Sequence, residues 1–218
     1  MAEKIYNTVL FDLDGTLTDP AIGITNSVAY ALKKWGIKVS DRSELYKFIG
    51  PPLLDSFCKY YSFSKDESEL AIKYYREYFA DKGLFENSVY DGVVEMLTEL
   101  KNRGKRLIVA TSKPELFSKR ILEHFELDGY FDFLAGATMD SSRVKKSDVI
   151  EYALKCCGIE NVSDVIMIGD REHDVLGAAA FGMDSVGVLY GYGSYEELKS
   201  SGATYIVEKV DDILSIVK

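Results

Sequence analysis

The chain has 218 residues, 47% of them hydrophobic and 12% aromatic, which is enough to bury a full core and leaves no polar, repetitive stretch to read as disordered. A net charge of −9 and a pI near 4.9 argue against the clustered Lys and Arg that a nucleic-acid or acidic-membrane surface needs. Three cysteines, two of them adjacent, make no disulfide framework and no CxxC pair, and two histidines cannot build a His-rich zinc site, so any metal has to be held by oxygen.

The chain opens on Met1-Ala2-Glu3-Lys4, which does not begin a signal peptide, and no apolar run is long enough to span a bilayer; a soluble, cytoplasmic protein is expected. Tyr6–Phe11 is apolar without polar alternation and reads as a strand buried on both faces. Asp12-Leu13-Asp14-Gly15-Thr16 comes directly after it. From about Thr18 to Phe85 no strand is legible. Ile22–Trp35, then Ser43–Phe48 with Leu53–Tyr61, then Lys65–Ala80 read as helical, punctuated by Gly36, Gly50-Pro51-Pro52 and Gly83. Residues 18–85 are therefore expected to form a helical insert, with Tyr74, Tyr75, Tyr78 and Phe79 packing it, inside a core made of residues 1–17 and 86–218.

Beyond the insert, strand-like and helical stretches alternate. Val93–Arg103 places Val93, Met96, Leu97 and Leu100 at helical spacing, with Asp91 as its predicted N-cap and Gly104 at its end. Leu107–Ala110 reads as a strand and runs into Thr111-Ser112-Lys113. Helix Glu115–Glu126 carries His124, expected at the edge of the core. Strand Phe131–Ala135 precedes helix Asp148–Cys157, where Cys156 and Cys157 read as packing residues in a reducing compartment. Strand Val165–Ile168 leads to Gly169-Asp170-Arg171-Glu172-His173-Asp174 and helix His173–Phe181, and strands Ser185–Leu189 and Thr204–Val207 close the series. This βα alternation implies an α/β fold, a doubly wound, Rossmann-like parallel sheet.

Residues capable of chemistry come immediately after three of these strands, at Asp12–Thr16, Thr111–Lys113 and Gly169–Asp174. In an open parallel sheet the carboxyl ends of the strands form the ligand crevice, so the three clusters share one rim. Carboxylates gathered there repel one another unless a cation lies among them, and oxygen ligands without His or Cys favour Mg2+. A carboxylate beside such a metal can attack phosphorus, while Thr111 and Ser112 offer hydroxyls and N–H groups and a lysine can neutralise phosphoryl charge. Standing alone, Asp12 and Asp14 would equally suit a strand-end turn.

Asp12-Leu13-Asp14-Gly15-Thr16 resembles the DxDGT signature of the haloacid dehalogenase superfamily. Thr111, Lys146 and Gly169-Asp170-x-x-x-Asp174 come next in that superfamily's order, and the helical insert sits where it places a helical cap. The resemblance covers essentially the whole chain. It implies Asp12 as nucleophile and metal ligand, and Asp14 as general acid and then base, with a backbone carbonyl on Mg2+. It also implies Asp170 as the remaining metal ligand, Asp174 behind the ligands orienting the lysine, and Thr111, Ser112 and Lys146 on the phosphoryl group. Lys145 stands next to Lys146; the latter is chosen because it directly precedes a helix. Arg171, Glu172 and His173 are read as structural, and Asp19 as a turn or hinge residue.

Within the superfamily, Asp14 argues against a dehalogenase, and Thr16-Leu17 with no His in the first helix of the insert argues against a β-phosphoglucomutase-like phosphotransferase. The resemblance implies a Mg2+-dependent phosphatase of the phosphoglycolate phosphatase-like branch. Ile49-Gly50-Pro51-Pro52-Leu53 and the Asp170 motif resemble a bacterial 5′-nucleotidase-like subgroup. Gly50, Pro51 and Pro52 are candidate specificity residues of the cap, with hinges near Thr18–Ala21 and Phe85–Tyr90. A small phosphorylated metabolite is the expected partner of a monomeric enzyme. A binding protein without turnover, or a chain whose phosphorylated aspartate is itself a signal, are the alternatives from other classes.

Overall fold

The computed structural model describes residues 4–140 and 142–218; Met1–Glu3, part of the stretch read above for a signal peptide, lie outside them. The chain packs as two compact units, one made of the described residues up to Thr18 together with Val89–Lys218, the other of Asp19–Ser88.

The larger unit is built on a six-stranded sheet. Its strands are β1 (Thr8–Phe11), β4 (Arg106–Pro114), β5 (Phe133–Ala137), β6 (Val165–Gly169), β7 (Asp184–Val188) and β8 (Tyr205–Val207). They are parallel, in the order β5-β4-β1-β6-β7-β8. The order leaves β1 at the centre, and Val9, Leu10 and Phe11 are fully buried there, as a run without polar alternation requires. Short strands β2 (Thr18–Asp19) and β3 (Ser88–Val89) pair where the chain passes between the units. Helices α4 (Val93–Asn102), α5 (Glu115–His124), α6 (Lys146–Cys156) and α7 (Glu172–Ala179) link the strands, and α8 (Tyr195–Ser200) and α9 (Ile213–Ile216) complete the unit. One core layer joins Leu10, Ile108, Ala110, Val165 and Met167 of the sheet to Val149, Ile150, Ala153 and Ala178 of α6 and α7.

Three expectations change. The N-cap of α4 is Gly92, at φ +85°, and Asp91 lies one residue outside the helix; Gly92 takes the left-handed geometry that starts the turn, and no side chain caps it. Cys156, the last residue of α6, is exposed, whereas Cys157 packs partly against the core layer. His124 is likewise exposed, edge-on to Phe125.

The smaller unit is helical: α1 (Ala21–Lys33), a 3-10 stretch Arg42–Phe48, α2 (Leu53–Tyr61) and α3 (Lys65–Tyr78), which runs into a wider turn at Phe79–Gly83. Ser64 and Glu67 form a reciprocal capping box at the start of α3. Its core is aromatic: Phe48 meets Phe57 at 5.1 Å between ring centres, and Trp35 meets Phe63 at 4.8 Å and Tyr74 at 5.9 Å. Tyr75 and Phe79 are buried, so large rings fill a core that three short helices could not close with small side chains. Among the described residues, no helix is long and apolar enough to cross a membrane.

Candidate active site

β1 and β6 end within one residue of each other, while β4 passes beside β1 and runs on to Pro114. Phe11 lies beside Val109 on one side and Ile168 on the other, and the Asp12 amide donates to the Ile168 carbonyl at 2.9 Å. The parallel register thus brings Asp12, the Thr111 segment of β4 and Asp170 to one rim. Asp12, Asp14, Thr111, Lys146, Asp170 and Asp174 are all buried there, and Ser112 is half-buried.

Asp12 Oδ1 accepts the Leu13 amide at 2.8 Å and pairs with Lys146 Nζ at 2.9 Å. Lys146 Nζ also lies 2.7 Å from Asp174 Oδ1 and donates to the Ala110 carbonyl at 3.0 Å. Lys146 is the first residue of α6, on the face that buries Val149, Ile150 and Ala153, while Lys145, one residue earlier, is exposed. One ammonium therefore ties the ends of β1, β4 and α7 together. Burial disfavours its charge, but Asp12 and Asp174 outweigh that and hold Lys146 protonated above the usual lysine range.

Lys113, which the sequence reading named only as part of a cluster, forms the second ion pair of the site: its Nζ is 2.5 Å from Asp14 Oδ2, and both groups are buried. Along β4, Thr111 and Lys113 are buried and Ser112 between them is less covered, the alternation of a strand, in a stretch where the register against β5 shifts between Ala110 and Pro114. Burial raises the Asp14 carboxyl above its ordinary range and Lys113 opposes the rise.

The turn that follows the two aspartates needs its glycine. Gly15 sits at φ +82°, and a Cβ there would lie 2.2 Å from Asp170 Oδ2. The close approach leaves room for Asp170, whose carboxylate gathers with those of Asp12 and Asp174 so that one oxygen of each lies within 4.8 Å of the others. Asp170 Oδ1 is buried with no hydrogen-bond partner among the described residues. An unpartnered oxygen beside two further carboxylates fits a hard divalent cation, and the donor set is all oxygen. Asp174, expected behind the metal ligands, thus faces both Lys146 and this cluster.

Burial, then Asp174 and Asp12, push the Asp170 carboxyl well above the usual range, against the Tyr192 amide. A group with a raised folded-state pKa contributes stability that is present below its unfolded pKa and lost as pH rises through the folded value. In buffer free of divalent cations, Asp170→Asn is therefore expected to melt above wild type at neutral pH, the gap closing as pH falls. Melting curves between about pH 5 and 8 test this, and a gap that does not change with pH refutes it.

Other residues take the structural roles expected of them. Arg171 pairs with Glu197 at 2.8 Å, Glu172 donates its amide to the same carboxylate, and Asp19 Oδ1 accepts the Ala21 amide at the start of α1. Gly50, at φ +98°, Pro51 and Pro52 form the turn ahead of α2 in the helical unit.

Residues 9–188 match the family model described as haloacid dehalogenase-like hydrolase. A 5′-nucleotidase of Pseudomonas aeruginosa is 45% identical over 92% of this chain and 90% of its own length. The tyrosine-protein kinase PtkA of Mycobacterium tuberculosis is 40% identical over 91% of this chain and 67% of its own. The crystal structure of a predicted phosphatase from Clostridium acetobutylicum superposes with a TM-score of 0.94 at 55% identity, covering 97% of each chain.

Proposed function

The chain belongs to the haloacid dehalogenase-like hydrolase family, and within it we propose a Mg2+-dependent phosphatase that hydrolyses a small phosphate monoester, a 5′-nucleotide ahead of phosphoglycolate, through a phosphorylated Asp12. The observation that supports it most is the pair of buried lysines, one on each aspartate of the Asp12–Asp14 turn, beside a three-carboxylate cluster.

Asp12 is the nucleophile. The Leu13 amide and Lys146 hold its Oδ1, so Oδ2 is the oxygen that attacks phosphorus as the ester P–O bond breaks. Asp14 gives its proton to the departing oxygen; burial raises that carboxyl against the pull of Lys113. In the second half, Asp14 takes a proton from water as the water oxygen bonds to phosphorus. The bond from phosphorus to Asp12 breaks, and inorganic phosphate leaves a regenerated carboxylate. Thr111, Ser112 and Lys146 hold the phosphoryl oxygens throughout. Asp12 and Asp170, with the Asp14 carbonyl, would hold Mg2+, which when bound neutralises phosphoryl charge. Asp19–Ser88 serves as the cap, with Gly50, Pro51 and Pro52 as its specificity turn, in a monomeric cytoplasmic enzyme.

The similarity to a chain named 5′-nucleotidase favours nucleotides as substrate. The similarity to a chain named tyrosine kinase favours a second reading, in which a hydroxyl rather than water takes the phosphoryl group from Asp12. Phosphate release from 5′-nucleoside monophosphates, phosphoglycolate, sugar phosphates and pyridoxal phosphate, with and without Mg2+, is the test. The highest kcat/KM is expected for a nucleotide, with turnover lost on chelation. No turnover of any ester by the wild type would sink the phosphatase, and phosphate appearing on an added alcohol instead of water would favour transfer.

A further inference from the structure

The phosphoryl-transfer steps make no use of the loop after β7. Residues 189–194 read Leu-Tyr-Gly-Tyr-Gly-Ser, and four of them close on the site. The Tyr190 hydroxyl donates to the Thr16 carbonyl at 3.0 Å, just past the Asp12–Asp14 turn, and its ring stands edge-on to Tyr90 at 5.1 Å. The Tyr192 amide donates to Asp170 Oδ2 at 2.8 Å. Gly191 lies so close that a Cβ would sit 2.3 Å from the Gly15 carbonyl oxygen and 2.4 Å from Asp170 Cβ. A Cβ on Gly193 would sit 1.9 Å from the Asp170 carbonyl oxygen. No side chain fits at either glycine without moving the Asp12–Asp14 turn or Asp170 itself.

We propose that residues 189–194 are a positioning device for the metal-binding carboxylate: the Tyr192 amide occupies Asp170 Oδ2, the two glycines let the loop approach closely enough for that bond, and Oδ1 is left as the single oxygen presented to the cation. Two oxygens of one carboxylate compete for a small octahedral ion, and Mg2+ tolerates little departure from its geometry. Fixing one oxygen on a rigid backbone donor removes the bidentate alternative and the cost of ordering the side chain on binding. Tyr190 extends the same clamp to the turn that carries Asp12 and Asp14, so the two aspartates proposed to share the metal are referenced to one loop. Asp170 Oδ1, buried and without a protein partner among the described residues, is the atom this arrangement exposes to a ligand.

The inference rests on the proposed Mg2+ site, and calorimetric titration of the full chain with MgCl2, needing no substrate, separates the two. Gly191→Ala is expected to bind Mg2+ about 10–100-fold more weakly than wild type, the usual cost of losing a group that orients a metal ligand. Gly129→Ala, at a position where a Cβ meets nothing within 4 Å, should bind as wild type does. Since a methyl at Gly191 risks unfolding the loop, an amide-to-ester replacement at Tyr192, which deletes the donor and adds no bulk, should weaken binding about 10-fold on the same grounds. Melting curves without Mg2+ show that each variant is folded. Wild-type binding with undiminished affinity in a folded Gly191→Ala chain or in the ester overturns the positioning role and leaves the metal site standing. A wild type that binds no Mg2+ overturns both.

Discussion

Asp12→Asn is expected to lower kcat by about 10^4-fold or more while leaving the protein folded, because the change removes the attacking charge and keeps the shape of the side chain. Asn keeps the shape of Asp, and its amide oxygen can still accept from the Leu13 amide and from Lys146, the two donors now on Oδ1. An amide oxygen is a poor nucleophile toward phosphorus, so the barrier rises although the geometry stays. The stability effect should be small, since the loss of one charge from the crowded carboxylate cluster offsets the weaker pairing with Lys146. Phosphate release by the purified variant, with acid-quenched labelled substrate to trap any phosphorylated enzyme, measures it. Turnover within about tenfold of wild type would show that another group attacks, and the aspartyl-phosphate mechanism would fall.

That Asp12 stands at the rim of the sheet was legible in the sequence, since ligands bind at the carboxyl ends of parallel strands and the apolar runs mark where those ends lie. The same rule brought Asp170 and the Thr111 segment to the rim. Lys146 against Lys145 was decidable on a further local signal: Lys146, Val149, Ile150 and Ala153 recur at helical spacing, so a lysine in that phase points inward. Lys113 was harder. Its partner, Asp14, follows a different strand, and that pairing leaves no mark in the local sequence. The Gly191 and Gly193 approaches to Asp170 were hidden for a related reason. Glycine between tyrosines reads as a loop, and only the fold shows what the missing side chains make room for. The helix cap misread at Asp91 was a competition between two good signals, and the left-handed Gly92 won.

Lys146→Met should also damage activity, less than loss of the nucleophile does, and for two separable reasons. Met keeps most of the aliphatic stem, which passes close enough to Gly177 that a Cβ there would meet Lys146 Cγ at 2.7 Å, so the packing is largely retained. What goes is the ammonium between Asp12 Oδ1 and Asp174 Oδ1. Removing one member of a buried ionic group strands the others, and the metal-free variant is expected to be less stable by about 3–5 kcal/mol. Those carboxylates, relieved of a competing cation, then draw Mg2+ more strongly, so Mg2+ should raise the melting temperature of Lys146→Met more than that of wild type. Turnover should not return with stability. The phosphoryl oxygens still lack their ammonium, which should hold kcat about 10^2–10^3-fold down at saturating Mg2+, the cost of deleting one preorganised electrostatic partner. Lys145→Met, on the exposed neighbour, should behave as wild type in both measurements. If Mg2+ restored turnover along with the melting temperature, Lys146 would be only the counter-ion that keeps the metal-free site folded, and the charge that steadies the transferring phosphoryl group would have to come from elsewhere. Lys113, already within the same buried rim, would be the group to change next.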